Sequence, residues 1–226
     1  TNNTVARTNN LNAKYAGAAL IQARSDDTIG TYGGQLQVGQ NAAVGATVTV
    51  SEKRGLTQAE VLNSDIVRST QETSSVLTAK TGVDKDAINS EIVNDVSVAA
   101  SLRDKRQNST VSGLMVDASS TETFKTLYIT GGGAKDATVT ATGNVNYLGG
   151  KTETKVKSSK LSAGSGALEV SASDAANVDT VIATATGALG AAIGVLTNVI
   201  TTDHSTGITV TGTQTNRSSL TGGSVS

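Results

Sequence analysis

LMVDASSTETFKTLYITGGGAKDATV, residues Leu114 to Val139, lies over LEVSASDAANVDTVIATATGALGAAI, residues Leu168 to Ile193, at a constant shift of 54 (168 − 114). Leu114, Val116, Ala118, Phe124, Thr126, Ala137 and Val139 fall on Leu168, Val170, Ala172, Val178, Thr180, Ala191 and Ile193. A second shift, of 95 (139 − 44), brings Ile21, Ala23, Ile29, Thr31, Ala42, Val44 and Ala46 onto Val116, Ala118, Phe124, Thr126, Ala137, Val139 and Ala141. The chain therefore contains three copies of one unit, about 19–66, 114–161 and 168–213, with an insertion of about 67–113 after the first. Repetition at a fixed period means stacked units rather than one closed core.

Composition points the same way. The 226 residues include no Cys, Pro or Trp, one Phe, one Met, one His and 24 Gly, and aromatics make up only 2%. Large aromatic side chains normally carry much of a compact core, so small and β-branched residues must do the burying here, in a thin, layered interior. Net charge is −1, from 18 basic and 19 acidic residues, with neither sign gathered into a long run. That balance offers no attraction for nucleic acid or anionic lipid. The lack of Cys excludes disulfides and thiolate metal sites. No apolar run reaches membrane-helix length, and TNNTVARTNN at the start has no export-signal pattern. The chain reads as a piece of something longer, beginning and stopping in mid-pattern.

Ala42, Val44, Ala46, Val48 and Val50 alternate with polar or small neighbours, which places them on one face of a strand. Val139, Ala141 and Val145, then Ile193, Val195 and Val199, are their counterparts. Polar segments follow, Ser51 to Leu56, Tyr147 to Gly150 and Thr201 to Ser205, and these read as turns. Second alternating stretches come next: Thr57, Ala59, Val61; Thr152, Thr154, Val156; Thr206, Ile208, Val210. Leu114, Val116, Ala118 and Leu168, Val170, Ala172 form a further strand, with Ala19, Ile21 and Ala23 as its counterpart. The expectation is an all-β β-solenoid over 1–226 whose columns of Val and Ile are buried. With roughly 18 to 27 residues per coil, each unit would hold two or three coils, and the stack would be a rod about 40 to 60 Å long. In the insertion, Ala87, Ile88, Ile92 and Val96 fit one short amphipathic helix around 83–97, although Val93, Val96 and Val98 fit alternation too. The charged run Arg103 to Thr110 reads as a solvated loop.

No residue is assigned a catalytic, cofactor-binding or metal-ligating role. Gly149 to Thr152, GGKT, resembles the end of a phosphate loop, but Val145 stands where its first Gly belongs and no helix pattern follows. Gly131, Gly132, Gly133 and Asp136 approach a calcium-binding nonapeptide, yet Ala134 interrupts it and it occurs once, so a turn is expected. Asp203, His204 and Ser205 are consecutive and cannot reach one another as a relay; a turn tip is expected. Asp117, Glu122, Asp136, Glu153, Glu169, Asp174 and Asp179 are scattered and lack an aromatic platform for a sugar. Tyr15, Tyr32, Tyr128 and Tyr147 are expected to pack against turns. The Asn-x-Ser/Thr triplets at Asn2, Asn108 and Asn216 are what chance produces in this composition.

The stretches AAVGATVTVSEKRGLTQAEVLNSDI, 42–66, and GALGAAIGVLTNVITTDHSTGITVTG, 187–212, resemble repeat units of large filamentous adhesins and leukotoxins. These are filamentous haemagglutinin-like exoproteins that Gram-negative bacteria export by two-partner or autotransporter routes. Ala191, Ala192, Ile193, Gly194, Asn198 and Ile200 carry the pattern in the third copy, and Asn146, Thr152 and Val156 in the second, where Thr140 replaces the expected Gly. The resemblance implies a right-handed parallel β-helix in a secreted or cell-surface protein, a rigid rod presenting host-binding surface. It also implies an outer-membrane secretion partner for the full-length protein, no enzyme activity and no cofactor. No nucleic acid and no membrane insertion by this segment are expected. A flagellin- or pilin-like filament subunit and a glycan-cleaving β-helix enzyme are the alternatives.

Overall fold

The computed structural model describes residues 1–69, 75–82 and 107–226. Among them every regular element is a strand, and three parallel sheets wind into a solenoid. One sheet stacks β1 (Asn2–Asn9), β4 (Ala42–Leu62), β9 (Ala137–Lys157) and β12 (Ala191–Thr211). A second stacks β3 (Ala19–Gly39), β8 (Leu114–Ala134), β11 (Ala167–Ala188) and β14 (Ser224–Val225). The third is narrow: β2 (Asn12–Tyr15), β5 (Asp65–Arg68), β10 (Lys160–Ser162) and β13 (Ser219–Thr221). The two internal shifts read from the sequence are the registers of these sheets, since Leu114 pairs with Leu168 and Val44 with Val139.

A coil takes a full 54-residue unit, not the two or three coils expected. Adjacent strands in a sheet are one unit apart, and each coil runs out along one 21- or 22-residue strand and back along another. At about 3.3 Å per residue such a strand is ~70 Å long, while four stacked strands span only ~15 Å. The molecule is thus extended along its strands, and the expected rod along the stacking axis is replaced by a shallow stack of long arms. The arms turn back through residue pairs, Gln40–Asn41, Lys135–Asp136 and Leu189–Gly190, tied coil to coil by bonds such as Asp136 N–H to Asn41 O at 3.0 Å.

Polar segments expected to be turns, Ser51–Leu56, Tyr147–Gly150 and Thr201–Ser205, lie inside continuous strands. They resemble turns because the apolar alternation changes phase there. In β4 the apolar positions are even up to Val50 and odd from Ala59, so one strand moves its hydrophobic residues from one face to the other. Beyond the phase change Ala59, Val61 and Val156 point inward and meet Leu114, Val116, Ala118, Leu161, Leu168 and Val170 in the main core. Here the narrow sheet, through Ile66 and Leu161, closes a triangular base. Full burial of a Leu or Val side chain contributes about 1.5–3 kcal/mol, so this base holds the fold.

In the arms the facing is reversed. Val44, Val48, Val139, Ile193, Val195 and Val199, expected in buried columns, are on the outside, with Val44 78% exposed. Many inner positions carry polar residues that bond across the gap: Thr31 with Ser51 at 3.3 Å, Thr140 with Thr184 at 3.2 Å, Thr47 with Gln35. Phe124, Tyr128 and Leu148 are the large side chains buried between these sheets, Tyr128 in the space left by Gly33, and elsewhere the gap is tight. A Cβ built on Gly132 would lie 2.6 Å from Thr140 Cγ2, whereas one on Gly133 would meet only a carbonyl oxygen at 4.0 Å. Gly132→Val is therefore expected to cost about 1–3 kcal/mol in urea denaturation, and Gly133→Val within ~0.5 kcal/mol. Equal costs would place the tight face on the wrong side.

Corners between β1 and β2, β4 and β5, and β9 and β10 are turned by Asn10, Asn63 and Ser158, with φ of 55°, 47° and 51°. Asn tolerates this left-handed region better than most residues. A serine ladder stitches the corners: Leu11 N–H donates to Ser64 Oγ, Ser64 N–H to Ser159 Oγ and Ser159 N–H to Ser218 Oγ, at 3.1, 3.0 and 3.3 Å. The insertion contributes an antiparallel pair, β6 (Leu77–Thr81) and β7 (Gln107–Val111), so the expected loop over Arg103 to Thr110 ends in a strand. Ala79 and Val111 cover Met115 on the outer side of β8. The helix expected around 83–97 lies outside the described residues, as does Arg103 to Arg106.

Candidate functional site

Between the apolar base and the polar-lined arm, inner positions of the two long sheets bring charges together. From β3, β8 and β11 come Asp27, Glu122 and Asp174; from β4, β9 and β12 come Lys53, Thr152 and His204. Lys53 Nζ sits 2.9 Å from Asp27 Oδ2 and 3.0 Å from Glu122 Oε1. His204 lies between Asp174, 2.5 Å from Nδ1, and Glu122, 3.7 Å from Nε2. Thr152 Oγ1 donates to Asp174 Oδ1 at 3.3 Å. The cluster thus crosses all three coils, with a side chain from one sheet answering each from the other.

Glycine makes the room. His204 stacks in register on Gly150, and Gly150 stacks on Gly55. A Cβ on Gly150 would fall 3.1 Å from the imidazole, and one on Gly55 3.2 Å from Glu122 Oε1. The GGKT segment is accordingly strand, neither phosphate loop nor turn, and its second Gly accommodates His204 and Glu122. His204 itself is on an inner strand face rather than at a turn tip. Asp203 and Ser205 alternate to the opposite face and form no relay with it.

Asp27 has a carboxyl pKa below its ordinary value. Burial pushes it up, but hydrogen bonds from Lys53, Ser25 and Asn2 and the Lys53 charge together outweigh that. Glu153 is shifted down in the same way: burial raises it, and Lys151 and Lys155 lower it by more. Chemically the cluster is three carboxylates, one lysine and one imidazole packed between two sheets. Thr152 donates to Asp174 rather than to the imidazole, so His204 does not act as a base toward this hydroxyl. Among the described residues no group of three or more His, Asp or Glu side chains is arranged to hold a metal ion.

The other residues singled out in the sequence are dispersed. Of the seven carboxylates, only Glu122 and Asp174 share a site; Asp136 is in an arm-tip turn. Gly131–Gly133 belong to β8, not to a turn. Tyr128 is buried, Tyr32 is exposed, and Tyr15 packs on the base core and donates to Ser162 O at 3.1 Å. Tyr147 lies on the outer face under Arg54, 5.1 Å from ring centroid to guanidinium carbon, and donates to Asp203 Oδ2 at 2.9 Å, which raises its pKa.

A second feature is the outer surface of the arms. On β4, β9 and β12 the outer residues from Ala42 to Val50, Ala137 to Val145 and Ala191 to Val199 include no charge, and Thr197 is the one polar side chain. On β3, β8 and β11 the outer Tyr32, Leu36, Val38, Leu127, Ile129 and Val181 make a matching band. Charge begins where the phase changes, with Glu52, Arg54, Lys125 and Asp179. Alternation had marked these stretches as strand, but only the way the two long sheets face each other shows that this apolar side is the outer one.

The class defined by fold and site is an all-β parallel solenoid with charge-pinned, polar-lined arms. No protein-family model matches the chain, and neither a curated protein nor a solved structure similar to it was found.

Proposed function

We propose that this chain is a structural repeat segment of a large exported bacterial surface protein of the adhesin or leukotoxin type, acting as a rigid element that presents host-binding surface. The supporting observation is the unbroken coil-to-coil register, in which every inner position stacks on its counterpart and the space between the sheets is taken by side chains. Such a scaffold contributes stiffness and repeated surface, and the Glu122 side chain within it is only 3% exposed. Like residues stacked along an axis make each coil support the next. In this reading the protein is secreted or held at the surface of a Gram-negative cell, the full-length form uses an outer-membrane secretion partner, and the segment itself is no enzyme. The pattern residues Ala191, Ile193 and Asn198 lie along β12, consistent with a repeat signature that encodes strand stacking.

Fluorescently labelled chain added to cultured epithelial cells is expected to bind saturably and to be displaced by unlabelled chain, read by flow cytometry. Linear, non-displaceable uptake would remove the host-binding element of the proposal. Tight adhesion without register-dependent stability would remove the scaffold element.

A further inference from the structure

The third coil leaves an open end. Along Thr180 to Thr202 the free edges of β11 and β12 meet no other strand among the described residues. The interior is open there too. Leu196 and Ile200 stack on Thr142 and Asn146, inner positions that are 2% and 0% exposed in the second coil, yet they are themselves 46% and 41% exposed. Proteins guard a free strand edge with charge, proline or a bulge. Thr180 to Thr202 has no charged residue and no proline, and both strands pair with their inner neighbours without a bulge. The first coil ends differently, with its inner Thr31, Gln35, Thr47 and Ser51 bonded across the gap. We propose that the open end of the third coil is an interaction surface that seats the same end of a second copy of this chain. β12 pairs with β12 and β11 with β11, antiparallel about a two-fold axis.

The occupant follows from two edges being open together. A lone extended peptide pairs with one sheet only. Pairing both, and covering Leu196 and Ile200 between them, takes two sheets at the same spacing with an apolar interior, which the third coil of another copy has. The first coil's end would set Thr and Gln against Leu196 and Ile200 instead. One axis serves both sheets: Thr130 meets Thr142 across the gap in the second coil, so one coil further on Thr184 faces Leu196. With the axis through Leu196, Ala191 to Thr201 runs against its own reverse, and Asp179, Asp203 and His204 fall at the rim, where an interface is polar. At about 3.3 Å per residue this overlap is ~36 Å long, and two sheets ~10 Å apart with their outer side chains are ~20 Å thick. A single contact therefore covers roughly 700 Å² on each copy, and the total of roughly 1,400 Å² lies within the ~1,200–2,000 Å² of specific interfaces. Like ends meeting about a two-fold axis close at two copies.

Sedimentation velocity over a micromolar concentration series tests the proposal. The wild-type chain is expected at twice 22.7 kDa and no larger. Leu196→Lys removes an apolar contact from each copy and sets two like charges at the axis, which should weaken association by ~100-fold or more. Leu196 is already half exposed in the single chain, so the circular dichroism and melting of this variant should stay close to those of monomeric wild type. Val38→Lys, on the exposed outer face of β3 in the first coil, should leave the dimer intact. Hydrogen exchange on the wild-type chain gives a second measurement that needs no variant: amides within Ala191 to Thr201 should exchange more slowly above the association midpoint than below it. A wild-type chain that stays monomeric, or one that grows beyond two copies, overturns the proposal. So does a dimer untouched by Leu196→Lys, a dimer lost in Val38→Lys, or exchange along β12 that ignores concentration.

Discussion

Val116→Asp is expected to leave the chain without a cooperative folded state, whereas Lys157→Asp should shift the melting temperature by no more than a degree or two, on the order expected of a solvated position. Val116 is fully buried in the central coil, stacked between Ile21 and Val170 and surrounded by the apolar base. The residues packed with Val116 in this core are all apolar, so an aspartate there would have no cationic partner among them. Its choices are to bury a charge or to take up a proton while still losing the packing of Val. Either costs several kcal/mol, comparable with the whole ~5–15 kcal/mol that holds a domain folded. The position adds leverage, since a defect in the middle coil removes the template for both neighbours. Lys157, at the end of β9, is exposed. Thermal melts followed by circular dichroism decide between them; equal melting temperatures would mean that the base is not the core.

Lys53→Ala is the second large effect, with an expected loss of about 3–5 kcal/mol at neutral pH. Lys53 is only 7% exposed and is held by Asp27 and Glu122 on either side. Without it Glu122, 3% exposed, loses the lysine 3.0 Å away, and Asp27 loses the strongest of the contacts that lower its pKa. The sign with pH follows. A carboxyl whose folded pKa is depressed adds stability above its unfolded pKa and loses it as pH falls through the folded value. Wild-type stability should therefore decline below about pH 4, the ordinary range of Asp and Glu. Glu153, also depressed, contributes in the same direction. In Lys53→Ala the Asp27 share of this decline is missing, so the gap between the two proteins should narrow in acid. Lys53→Met combined with Glu122→Gln should recover some of the loss by removing both charges. Urea midpoints at neutral pH and at about pH 3 measure the gap, and a gap that stays constant would exclude this account of Lys53.

How far these effects could be foreseen differs from one to the other. Val116 was legible: it belongs to a period-two stretch that recurs in three copies, and recurrence at a constant shift means stacking. Lys53 was not. It lies in SEKRGL, whose charges and glycine read as a turn, and nothing local indicates that a strand passes through it. The same holds for His204, whose partners are 30 residues away at Asp174 and on another strand at Glu122. Their meeting depends on which strand faces which across the gap. The adhesin-like phrases describe residues of one strand at a time and carry no information about cross-sheet pairs.

The amino-acid order alone determined that the chain is a repeat, that its elements are strands, and what the sheet registers are, because each follows from spacing along the chain. Only the tertiary structure decided the length of a coil and which face of each strand is inside. Alternation specifies two faces but does not label them. The label comes from packing across the gap: where the narrow third sheet closes the base, Val and Leu fill the inside, and where the long sheets face each other the inner positions are mostly Thr, Gly, Ser, Asn and Gln with a few large residues such as Phe124, Tyr128 and Leu148, so the remaining Val and Ile are turned out toward solvent.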